Sequence, residues 1–196
     1  PAAAARRFAR MKGSHTPATL LAVFGNRDYD DALLEMQDIA LAGGFVPFAC
    51  AAPVAEHSLM HSVAKGRPDE ADAALLKAFA KEAQQKLADV SNVQELSVPP
   101  VKGHRPYMDY PSIPFKPAAS ADCVRCGQCV KACPVGAIPP DDPTKTDASR
   151  CISCMRCVTV CPHGARGLNK LLLAAAEKVF WLKCGKRKEP EFFIAK

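Results

Sequence analysis

The chain has 196 residues, 48% of them hydrophobic, and a formal net charge of +6, room for one ordinary domain or two small ones with real cores. No run reaches the ~18 consecutive apolar residues of a membrane span, so none is expected. Ten cysteines, about 5% of the residues, fall below the roughly 8–10% of a disulfide-stapled secreted scaffold, and a reducing, cytoplasmic setting is expected.

The N-terminal RRFARMKG carries the arginines of an export signal, but LLAVF is too short an apolar region and runs straight into GNRDYDD, which argues against export. AARRFARMKG has helical composition and stops at glycine. TLLAVFGN is a short apolar run that predicts a buried strand. DDALLEMQDIALAGG predicts a helix, with aspartates at its start and Gly43-Gly44 as its stop. FVPFACAAPVA predicts a second buried strand. RPDEADAALLKAFAKEAQQKLADV predicts a helix with Leu76, Phe79, Ala80, Ala83, Leu87 and Val90 on one face. Strand, helix, strand, helix with short links implies parallel strands in a βαβ unit over residues 1–90. Residues 91–120 hold six prolines and read as a linker or as an extended wrap across a surface.

Eight of the ten cysteines then fall in two short runs. CVRCGQCVKACPVGAI aligns on CISCMRCVTVCPHGAR without a gap, and Val130/Val158, Pro134/Pro162, Gly136/Gly164 and Ala137/Ala165 also match. Three thiols at two-residue spacing let a tight loop wrap one corner of a cubane cluster, its N–H groups turned inward to offset the negative charge. Gly127 supplies a backbone able to take positive φ where that loop is tightest. The fourth thiol opens a helical turn and faces away, and the proline after it denies the helix a regular continuation. This is the bacterial-type spacing of iron–sulfur ligation, in which the fourth cysteine serves the other cluster. By that rule one cluster takes Cys123, Cys126, Cys129 and Cys161, and the other takes Cys151, Cys154, Cys157 and Cys133. Structural zinc, which usually draws separated pairs around one ion, and a purely structural iron–sulfur module are the rival readings.

Residues 121–166 resemble the two-cluster bacterial ferredoxins. The resemblance implies a small α+β ferredoxin-like domain whose two [4Fe–4S] clusters shuttle single electrons at low potential. Met155 stands where the first run has Gly127, and is expected to leave the second loop more strained or more shielded. Cys50, in an apolar strand run, reads as a core residue, and Cys184 fits no motif.

AVFGNRDYDDALLEM resembles the later half of a flavodoxin-like domain, where a loop after the fourth strand borders the flavin ring. The resemblance implies that Gly25, Asn26, Arg27, Asp28 and Tyr29 border FMN, with Tyr29 stacked on the isoalloxazine; an ordinary loop tyrosine beside Asp28 is the alternative. The strand and helix downstream continue the likeness. Fusions of such a domain to a two-cluster ferredoxin form a family of electron carriers in anaerobes, and the chain is similar to them over nearly all its length. Nothing upstream of residue 18 could be the phosphate-binding loop of a flavodoxin, and two parallel strands make too small a sheet to stand alone. Residues 1–90 are therefore expected to be the second half only of such a domain: a piece of a longer fusion, or a remnant that completes its sheet by other packing. FMN is expected only where the missing half is present. His57, Ser58 and His61 lack supporting catalytic or metal spacing and read as loop residues.

GLNKLLLAAAEKVFWLK puts Leu168, Leu171, Leu172, Ala175, Val179 and Leu182 on one face, an amphipathic helix expected to pack on the neighbouring domain. Residues 167–196 thus read as a helix and a basic tail. From residue 162 onward eight Lys/Arg stand against three Glu, a surface that could draw in an acidic redox protein or be a solvated tail. No aromatic interleaving accompanies the charge, so no nucleic-acid partner is expected. The function read from the sequence is a non-enzymatic electron carrier. The alternatives are a flavin-dependent reductase fed by the clusters and an iron–sulfur subunit of a larger redox complex.

Overall fold

The computed structural model describes residues 2–109 and 113–195. Its elements in chain order are α1 (Ala2–Phe8), β1 (Thr16–Leu21), α2 (Ala32–Ala42), β2 (Phe45–Ala52), α3 (Glu70–Asp89), a 3-10 turn (Val93–Glu95), β3 (Ala118–Ala119), α4 (Gln128–Ala132), α5 (Arg156–Thr159), β4 (Arg166–Gly167), α6 (Lys170–Cys184) and β5 (Glu191–Ile194). They divide into two compact units. The first comprises the described residues of Pro1–His57, His61–Asp109 and Lys183–Lys196, and the second those of Ser58–Met60 and Tyr110–Leu182.

The first unit is a small α/β layer structure. β1 and β2 pair in parallel through the α2 crossover, as the alternation of apolar run and helix requires. The sheet gains a third strand that the sequence reading did not find: β5 pairs antiparallel with β2, so β2 lies in the middle. β2 is nonetheless able to hold Pro47, because the β1 register jumps from Ala18↔Pro47 to Thr19↔Ala49. Phe48 is the extra residue of that irregularity, and a proline without an N–H is tolerated at such a place in a sheet. Beyond it Ala49, Cys50, Ala51 and Ala52 are all fully buried. Cys50 and Ala52 face a core built with Leu20, Phe24, Tyr29 and Leu33, while Ala49 and Ala51 face one built with Phe79, Ala83 and Leu96. Small side chains on the middle strand let helices approach both faces.

The ends of the helices follow from local chemistry. Gly43 closes α2, and Gly44 continues at φ 87°, where a Cβ would lie 2.3 Å from the Gly13 carbonyl oxygen. Asp69 and Asp72 form a reciprocal capping box at the start of α3. The Asp72 carboxylate is buried against Arg67, whose Nε donates to it at 2.8 Å, and this hydrogen bond is the main reason its pKa lies below the usual carboxylate range. The α3 face differs from expectation. Phe79 and Ala83 are buried with Asp72, whereas Ala80 is exposed and Leu87 is 41% exposed.

The proline-rich stretch is an extended wrap, at least to Asp109. Leu96 is buried, Gln37 donates to the Pro99 carbonyl, and Asp31 accepts the N–H groups of His104 and Met108. Asp38 holds Arg105 and Tyr107. Tyr110, Pro111 and Ser112 lie outside the described residues.

The second unit has little regular structure. A two-residue antiparallel pair, β3 with β4, ties its ends, and the short helices α4 and α5 follow the two cysteine loops. None of the residues of α6 is buried. Among the described residues no helix is long and apolar enough to cross a membrane.

Candidate metal centre

The repeat in sequence is a repeat in backbone. Second-run positions lie 28 residues after their first-run counterparts, and three pairs at that offset share left-handed φ: Arg125 and Ser153 (57° and 54°), Gly127 and Met155 (74° and 58°), Gly136 and Gly164 (60° and 58°). Left-handed residues between the cysteines fold each loop back on itself, which turns successive N–H groups toward one side. Gly127 meets this demand without a Cβ and has nothing within 4 Å of where one would sit. Met155 meets it with a side chain that is 7% exposed. Met155 is therefore both strained and shielded, as the sequence reading anticipated.

The eight run cysteines line two cavities. One is walled by Cys151, Cys154 and Cys157 together with Cys133 from the other run. The second is walled by Cys123, Cys126 and Cys129 together with Cys161. The fourth cysteine of each run thus faces the cavity of its twin. α4 and α5 pack together and carry the chain from the third cysteine toward the fourth. All eight are free thiols, as are Cys50 and Cys184.

Backbone N–H groups and one cation are aimed at the sulfurs. Ala137 N–H donates to Cys133 Sγ at 3.1 Å, and Ser153 N–H to Cys151 Sγ at 3.4 Å. The backbone N–H of His163, with those of Ala165 and Arg166, holds the Cys161 thiol below its ordinary pKa. Burial pushes Cys157 up, against the pull of Arg166. Lys116 and Ser153 brace the second loop. Lys116 Nζ donates to the Cys151 carbonyl at 2.8 Å, and Ser153 Oγ donates to the Phe115 carbonyl at 2.8 Å.

Zinc would need thiolates converging on one ion at about 2.3 Å. Among the described residues no group of three or more His, Cys, Asp or Glu side chains is set to hold a single metal ion.

The flavin-bordering residues named from the sequence sit in the first unit, and two of them serve the fold. Asn26 is 1% exposed; its amide donates to the carbonyls of Cys184 and Lys186 at 2.7 and 2.8 Å and accepts the Lys188 N–H at 3.1 Å. It thereby steers the chain into β5. Tyr29 is 5% exposed, tilted against Phe24, with its hydroxyl donated to Glu191 at 2.8 Å. Burial and the Glu191 carboxylate together push its pKa well above the ordinary tyrosine range. Asp28 pairs with Lys102, and Gly25 lies against His57. Cys50 is a core residue whose thiol burial pushes up to about 11.

One residue of the centre escaped the sequence reading. Arg166 is 3% exposed and lines the cavity of Cys123, Cys126, Cys129 and Cys161. Its signal was a break in the repeat, since Ile138 holds the equivalent place in the first run.

Residues 122–165 match the family described as a 4Fe-4S dicluster domain. No curated protein matches the chain. The chain therefore contains an iron–sulfur, metal-binding domain, and the donors present fit it: thiols in sets of four, N–H groups aimed at sulfur, and a buried cation suited to an anionic group.

Proposed function

We propose that this protein is a one-electron carrier in which each cysteine-lined cavity holds one [4Fe–4S] cluster with crossed ligation. The observation that carries the reading is the lining of the cavities: three thiols from one run and the fourth from the other, twice. The clusters would supply reversible one-electron chemistry. The chain supplies the thiolates, the N–H groups that offset their charge, and walls of Pro134, Ile138 and Met155 in one cavity and Val124 and Ala165 in the other. The parallel β1–α2–β2 unit supports reading the first ninety residues as the second half of a flavodoxin-like domain, with FMN as the cofactor a complete domain would bring. The side chains of Asn26 and Tyr29 are committed to holding β5, so the clusters carry the function of this chain.

A redox protein with an acidic face is the proposed partner. Arg187 is ion-paired to Asp69, Asp72 and Glu189, and Lys188 to Asp28. Among the described residues of this segment, Lys183 and Lys186 are the cations left without an ion pair, exposed to such a partner. A reducing compartment, where all ten thiols stay available, suits the chemistry.

The test is ligand substitution with iron, sulfide and flavin assayed on the native protein. Cys133→Ser should damage the cluster held by Cys151, Cys154 and Cys157 and spare the other, and Cys161→Ser should do the reverse. Resolved spectra in which each substitution harms the cluster of its own run would overturn the crossed assignment. Extraction of one FMN per chain would replace the carrier with a flavin-dependent reductase.

A further inference from the structure

Arg166 is a buried cation with no anionic partner among the described residues. Its Nη1 donates to the Pro143 carbonyl, and its Nη2 to the carbonyls of Pro117 and Lys145 at 3.3 Å and to Thr146 Oγ1. Its Nε is buried and has no partner, and no ion pair involves it among the described residues. Carbonyls and a hydroxyl satisfy hydrogen bonds but do not neutralise charge, and an unpaired buried guanidinium is costly. Its Nη1 also donates to Cys129 Sγ, an anion-forming atom, at 3.8 Å. A cubane held by four thiolates is anionic and gains one more negative charge on reduction, so a fixed cation beside it favours the reduced form.

The two cavities differ at this place. Arg166 walls the cavity of Cys123, Cys126, Cys129 and Cys161, whereas Ile138, its equivalent in the repeat, walls the other. Arg166 also acts on Cys157 of the second cavity, by charge and by hydrogen bond, so both clusters feel it, but it lines the first cavity and not the second.

We propose that Arg166 is the built-in counter-charge of the cluster held by Cys123, Cys126, Cys129 and Cys161, and makes that cluster the higher-potential member of the pair. This rests on the two-cluster reading above. A single electron entering the protein then resides in that cavity, and the cluster facing Ile138 is the stronger reductant. The asymmetry gives electron flow through the domain a direction that the symmetric cysteine spacing does not contain.

The experiment uses the native holoprotein, half-reduced with dithionite as the one-electron donor. The hyperfine-shifted β-proton signals of the eight cysteines report where the electron sits. In the wild type it should lie on the cluster of Cys123, Cys126, Cys129 and Cys161. Arg166→Gln should lower that cluster's potential relative to its twin by at least a tenfold change in electron partition, about 59 mV for a one-electron couple. Arg166→Lys, which keeps the charge, should restore most of the difference. An electron resident on the other cluster of the wild type overturns the inference, and so does a partition indifferent to the charge at 166. Iron and sulfide for fewer than two clusters in the wild type would instead overturn the reading beneath it.

Discussion

Met155 and Gly127 occupy equivalent turns of two equivalent loops, and they solve one backbone problem with opposite side chains. Both are left-handed, at 58° and 74°. For a residue with a Cβ that conformation costs roughly 1–2 kcal/mol. Burial of a methionine side chain contributes about 1.5–3 kcal/mol, so at position 155 the packing outweighs the strain. At position 127 there is nothing within 4 Å to pack against, and glycine is the better choice. Gly127→Ala should therefore cost about 1 kcal/mol without a clash, and Met155→Gly should be net destabilising despite relieving strain. Chelator-driven bleaching of the holoprotein measures both, with Met155→Gly bleaching faster than the wild type. A slower rate would mean that strain, not burial, dominates at this position. The substitution of methionine for glycine was visible in the sequence, and so was its consequence. Arg166 was equally visible, but a lone arginine after a cysteine run carries no signal until the backbone shows it buried.

At the scale of elements, β5 shows where sequence reasoning ran out. The parallel β1–α2–β2 unit was legible because two apolar runs bracket an amphipathic helix, a local pattern. EFFI gives no strand signal, since four residues after a basic stretch carry little periodicity. Its partner, β2, lies some 140 residues earlier in the chain. The clue lay in the insufficiency of a two-stranded sheet, which called for a third strand without saying which. Once in place, β5 alternates faces as a strand must: Phe193 packs on the Leu33 core, while Phe192 and Ile194 pack on the Phe79 core, the Phe192 and Phe79 rings 5.1 Å apart. The buried face of α3 is narrower than its apolar periodicity. Of the α3 residues, Phe79 and Ala83 are the ones that join the core faced by Ala49 and Ala51 of β2. The α6 face was expected to be covered, yet Leu171 and Leu182 are 85% and 74% exposed. Ending the chain after Glu189 should expose both cores along one edge of β2 and sharply lower the melting temperature of the first unit, while the iron content stays the same. Unchanged melting would show that β5 is an ornament on a sheet complete without it.

For the whole molecule, the two units are stabilised by different means. Both hydrophobic core clusters belong to the first unit, which rests on apolar burial against β2 and on the clamps of Asn26, Arg67 and Arg187 around β5. Within residues 122–165 of the second unit, the buried apolar residues Ala137, Ile138, Met155 and Ala165 gather around the cysteine cavities. A domain built this way gains its folding free energy from the metal, because its thiolates have no preformed site in the unfolded chain. Removing the iron with a chelator should therefore unfold the second unit and leave the first folded. Amide hydrogen exchange separates the two: protection should vanish across residues 122–165 and persist at Ala49, Cys50 and Ala51 of β2. Protection lost together in both units would mean that one cooperative fold spans the chain. Protection kept in the cysteine loops would mean that those loops stand without metal, and that the left-handed turns at 125, 127, 153 and 155 are held by the chain alone.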